Sequence, residues 1–67
     1  MKEYCVIGKG FNKADPWGLL QRLIEDEWLN VTVSPEYKYA FELIRVAISE
    51  GYEVSDGGSG CIDINLR

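Results

Sequence analysis

Hydrophobic positions recur with two different periods along the chain, and the places where the period changes mark its elements. Glu3 to Ile7 is a short run rich in β-formers and closed by Gly8, which reads as a strand buried on both faces and therefore central in its sheet. Gly8 to Lys13 reads as a loop. Asp15-Pro16 carries a helix-start signature, a side-chain oxygen at the N-cap followed by a residue with no N–H to leave unpaired. Beyond it Trp17, Leu20, Ile24 and Trp28 recur at helical spacing and Leu23 widens the stripe, while Gln21, Arg22, Glu25 and Asp26 fall opposite. This spacing predicts a first helix from Pro16 to Trp28.

Leu29 to Ser34 alternates apolar with polar, placing Leu29, Val31 and Val33 on one face of a second strand. Ser34-Pro35-Glu36 repeats the cap-then-proline signature and predicts a long helix running to Glu50, stopped by Gly51. Its polar stripe is narrow, consisting of Lys38, Glu42, Arg45 and Ser49, with Glu42 and Arg45 spaced to pair. Tyr37, Ala40, Phe41, Ile44, Ala47 and Ile48 make the main apolar side, and Tyr39, Leu43 and Val46 flank it. So broad an arc needs two neighbours, the sheet beneath it and the first helix beside it. Tyr52 and Val54 then alternate with Glu53 and Ser55, Asp56 to Gly60 turns the chain, and Cys61 to Arg67 alternates again. Ile62, Ile64 and Leu66 face one way, Cys61, Asp63, Asn65 and Arg67 the other, as in a hairpin with one face covered and one wet.

The predicted fold is a two-layer α/β (α+β) sandwich, two helices on one face of a small three- to four-stranded sheet, in the order β-α-(β)-α-β-β. Without a strand at Val31 to Val33 the order becomes β-α-α-β-β. At 67 residues the whole chain, 1–67, is one compact domain.

Charge and composition narrow the chemistry. Seven basic against eleven acidic side chains leave a net charge of −4, and the chain has no histidine. That balance disfavours a basic nucleic-acid binder. The missing histidine removes the usual general base, the usual metal ligand and the Ser/His and Cys/His nucleophile pairs. We therefore expect no enzyme, no cofactor, no metal site and no direct nucleic-acid contact. The four-residue apolar run near the N-terminus is too short for a signal or a membrane span, so the expectation is a cytoplasmic protein without a membrane partner. Cys5 and Cys61 are either two partly buried thiols on two strands or a bridge closing a loop of 57 residues, worth about 4 kcal/mol at most.

Gly8-Lys9-Gly10 between a strand and a helix is a weak phosphate-loop candidate. It lacks the Walker spacing and a third glycine, and Asp15 at the cap would repel a phosphate. Glu25-Asp26-Glu27, joined by Glu36, is the main charged feature. Successive helical residues point about 100° apart and cannot converge on one ion or one reacting bond. They offer instead an anionic patch for a basic groove on another protein, or a solvated face that aids solubility. Charge is segregated in support of the patch: residues 1–13 sum to +2, 14–36 to −4 and 50–67 to −3. Trp17 is expected in the core, and Trp28 either in the core or as an aromatic anchor beside the acids. Tyr39, Leu43 and Val46 form a possible self-association strip if the first helix leaves them uncovered.

Three functional readings follow. The first is a non-catalytic module that regulates or inhibits a larger protein or complex by occupying its basic surface, through Glu25, Asp26, Glu27 and Glu36 with Trp28 as anchor. In profile it is similar to small acidic phage and mobile-element inhibitors, some of which mimic nucleic acid. The second is a homodimeric assembly protein using the flank of the second helix. The third is a small-anion or nucleotide-binding domain built on Gly8 to Lys13.

Overall fold

The computed structural model describes residues 2–11 and 14–66, leaving out the side chain of Lys2. Its elements are β1 (Lys2–Ile7), α1 (Pro16–Glu25), β2 (Trp28–Val33), α2 (Ala40–Ser49), β3 (Glu53–Gly58) and β4 (Cys61–Asn65). The strands form one four-stranded sheet in the order β1-β2-β4-β3. β1 pairs parallel with β2, and β4 runs antiparallel between β2 and β3. The two-layer α+β sandwich is present, with the second strand formed.

Register decides which residues the helices cover. The rows Cys5–Val31–Ile64–Val54 and Ile7–Val33–Ile62 share one face. From them Ile7, Val31, Val33 and Ile64 are buried together with Leu19, Leu20 and Leu23 of α1 and Ala40, Leu43 and Ala47 of α2. The rows Tyr4–Asn30–Asn65–Glu53 and Val6–Thr32–Asp63–Ser55 lie on the opposite, helix-free face. There the Thr32 hydroxyl donates to Asp63 Oδ1 at 2.7 Å, tying the two central strands together.

β1 is an edge strand, not the central one its apolar run predicts. A run apolar on both faces implies two covered faces, but this sheet has one, so Tyr4 and Val6 stand 63% and 61% exposed. The central positions go to β2 and β4, whose outward residues are mostly polar.

Helix α1 ends at Glu25, three residues before the predicted end at Trp28. Asp26 is its C-cap, and Glu27 adopts a left-handed backbone (φ 65°) that turns the chain straight into β2. Trp28 thus opens a strand, half-buried against the core. Trp17, expected inside, is 55% exposed in the first turn of α1. The N-cap is as read: Asp15 Oδ1 accepts the Gly18 N–H at 3.1 Å. A Cβ at position 18 would collide with that carboxylate, which would have to turn aside to keep the cap.

Helix α2 begins at Ala40, later than the Ser34-Pro35 signature predicts. Ser34 spends its acceptors on turns: its Oγ takes the Glu36 N–H at 3.2 Å and its carbonyl the Tyr37 N–H at 3.0 Å. Tyr37, 1% exposed and edge-on to the rings of Phe11 and Tyr39, anchors this segment in the core. At the other end Gly51 (φ 90°) donates to Ile48 O and Tyr52 to Ala47 O, both at 3.0 Å. That pair of bonds is a Schellman motif, which the glycine stop signal foretells.

The hairpin turns on Ser59 and Gly60, both at positive φ (53° and 80°), a two-residue turn of type I′ geometry. Most of the expected glycine-rich loop is instead the end of β3, with a break of register between Asp56 and Gly58. Neither cysteine is in a disulfide. Cys5 pairs in the core-side row while Cys61 alternates with Ile62 onto the other face.

Candidate partner-binding surfaces

Strand direction places the charged residues. β1, β2 and β3 run one way, and both helices return the other way to link them. The C-termini of α1 and α2 therefore meet the starts of β2 and β3 at one end of the molecule. Glu25 and Glu27 are exposed there and Asp26 half-exposed. Glu36 lies after the far end of β2, a six-residue strand that spans roughly 20 Å at about 3.3 Å per residue. The expected four-residue patch is thus divided, with Glu36 at the opposite pole.

Glu50, the C-cap of α2, and Glu53, first residue of β3, take its place. Both are exposed. Two helix C-termini add their partial negative charge to these carboxylates. Among the described residues the ion pair at this pole is Arg22 with Asp26, at 4.0 Å, on exposed side chains. Reading by chain adjacency missed Glu50 and Glu53. The available signal was that two consecutive helices, each followed by a strand, bring their C-termini to the same side of a sheet.

No protein-family model, curated protein or solved structure matches this chain.

The apolar surfaces also differ from expectation. Leu43 is 0% exposed, and Tyr39 and Val46 are half-buried against the core. The condition for a self-association strip at these residues, that they be left uncovered, is not met. A polar residue at position 43 would report on folding and not on a dimer. α2 instead rests on the sheet through Ala40, Leu43 and Ala47. Two alanines let the backbone sit close, and the arc rolls so that Phe41 and Ile48 are turned outward, 81% and 54% exposed. Beside them a groove of about 390 Å³ runs between α2 and the hairpin, lined by Val33, Pro35, Ala40, Ile44 and Ile62 with Lys38 among its lining residues. The hairpin leaves it open because β3 contributes Asp56 opposite Ile62, followed by Gly57 and Gly58.

A shallower depression on the helix-free face is lined by Glu3, Tyr4, Asn30, Thr32 and Asp63. Asn30 Oδ1 is buried there without a hydrogen-bond partner.

The loop after β1 closes on a bond from the Phe11 N–H to Gly8 O at 3.1 Å. Asp15 already occupies the N-terminus of α1, the position where a phosphate would sit. Lys13 lies outside the described residues. Among the described residues no three His, Cys, Asp or Glu side chains are grouped to hold a metal ion, and no helix is long and apolar enough to cross a membrane. Burial, reinforced by Tyr39 and Glu42, raises the Tyr37 phenol above its ordinary value.

Proposed function

We propose that the protein is a non-catalytic binding module, a regulator or inhibitor that occupies a basic site on a larger protein partner, as a nucleic-acid mimic would. The observation that carries this reading is the acidic pole, where Glu25, Asp26, Glu27, Glu50 and Glu53 meet the C-terminal ends of both helices. Five carboxylates at this end outnumber Arg22 and Lys2, which begins β1 beside Trp28, and their excess steers a molecule of net charge −4 end-on into a cationic groove and accelerates encounter. Trp28, half-buried where α1 passes into β2, stiffens the base of the pole.

The test is capture of the tagged protein from its host lysate at low and high salt, followed by binding kinetics with the retained partner. Reversal of Glu25, Asp26 and Glu27 to Lys is expected to slow association about tenfold or more and to flatten its salt dependence. Glu36→Lys, at the other pole, is the internal control and leaves the rate nearly unchanged. Equal losses in both variants, or no loss in the triple one, would refute the polar-end reading.

A further inference from the structure

We infer that the depression on the helix-free face of the sheet is a receptor for an arginine side chain presented by a protein partner. This inference does not rest on the acidic pole and uses none of its residues. The depression is open, about 620 Å³ in volume, and crosses β1, β2 and β4. Register sets Tyr4 beside Asn30 and Thr32 beside Asp63 on this face. None of the described side chains lining it is basic.

What the polar groups of this depression lack is donors. The Asp63 carboxylate, half-buried on a central strand, accepts a hydrogen bond from Thr32 at 2.7 Å and has no ion pair among the described residues. Thr32 has committed its one proton to that bond and offers only lone pairs to a ligand. Asn30 Oδ1 is buried with no partner at all. A half-buried carboxylate served by one neutral donor carries charge that a cation offsets. Tyr4, 63% exposed, adds an aromatic ring on the β1 side.

Arginine answers each of these features. Its guanidinium carries donors only, is always charged, and pairs with a carboxylate through a planar fork. Two strand spacings, about 10 Å, separate β1 from β4. An arginine whose apolar stem lies on the Tyr4 ring carries its guanidinium across β2 to Asp63. Asn30 lies between the two, and with no bond holding its oxygen the amide turns toward the incoming donor without loss. Lysine brings a more strongly hydrated point charge that cannot fork. An anionic ligand meets acceptors and negative charge on every polar side.

The experiment is titration of the isotope-labelled full chain with N-acetylarginine N-methylamide and with its lysine and citrulline counterparts, followed by amide chemical shifts. Arginine is expected to move the Tyr4, Asn30, Thr32 and Asp63 amides together along one curve that saturates in the millimolar range. Lysine binds roughly tenfold more weakly, and citrulline, of the same shape without the charge, does not bind. Asp63→Asn keeps an oxygen for the Thr32 hydroxyl but weakens arginine about tenfold and erases its advantage over lysine. Tyr4→Ser, at an exposed site, weakens it about threefold. Circular dichroism verifies the fold of each variant. Reversal of Glu25, Asp26 and Glu27 to Lys leaves these shifts in place, so failure of the acidic-pole reading and failure of this one are separable. Absence of shifts overturns the inference. So do equal responses to arginine and lysine, or shifts confined to the acidic pole, which reduce the effect to general attraction of cations. Tighter binding of free arginine than of the capped residue overturns the assignment to a protein partner.

Discussion

A single phenol shows how much one residue can organise in so small a core. Tyr37 sits in no helix or strand, yet it is 1% exposed and contacts Phe11 from the first loop and Tyr39 at the start of α2. Burial, then the negative charge of ionised Tyr39 and of Glu42, raises its pKa above the ordinary value near 10. The folded state thus favours the neutral phenol more than the unfolded chain does. The stability this represents is intact below about pH 10 and is lost as pH climbs through the folded-state value. Titration followed by tyrosinate absorbance should show one phenol ionising later in the native protein than in urea. Tyr37→Phe should remove that late component, and a late component persisting in the variant would assign it to another tyrosine.

At the scale of elements, the two helices end with the same backbone gesture and different residues. Past each C-cap the chain enters the left-handed region, at Gly51 after α2 and at Glu27 after α1. Glycine adopts that conformation freely, whereas a residue with a Cβ loses about 1–2 kcal/mol there. Glu27→Gly is therefore expected to stabilise the fold by about 0.5–1 kcal/mol, the gain being reduced by the extra freedom of glycine in the unfolded chain. Gly51→Ala should destabilise by about 1 kcal/mol. Urea midpoints with unchanged slopes measure both, and a loss of stability in Glu27→Gly would mean that the glutamate side chain holds the turn.

The same contrast explains which boundaries could be read from sequence. The end of α2 was legible because glycine signalled it, and the start of α1 because Asp15 does cap it. The end of α1 was hidden because nothing in Glu25-Asp26-Glu27 announces a positive φ, and Trp28 continued the helical spacing by coincidence. The start of α2 was misplaced because Ser34-Pro35 serves equally well for a turn, and the choice was made by burial of Tyr37, a tertiary event. The candidate surfaces suffered most. Leu43 and Phe41 are both apolar on one helix, and which of them is buried depends on how closely Ala40 and Ala47 let α2 approach the sheet.

Over the whole molecule strand direction sets the acidic pole, and strand order decides which strands can open without the rest. A central β1 would have had bonded neighbours on both sides, although Tyr4 and Val6 would still point to the helix-free face. As an edge it has β2 on one side alone, and a parallel edge strand uses only alternate amides in its ladder. β2 and β4 lie between neighbours, and Val31, Val33 and Ile64 from these strands are buried. Opening that releases β2 or β4 must disrupt both layers, while β1 and β3 can fray separately. Native-state hydrogen exchange should accordingly find the slowest amides among Val31 to Val33 and Ile62 to Ile64, with protection alternating along Tyr4 to Ile7. Uniformly slow exchange along β1 would place it inside the sheet.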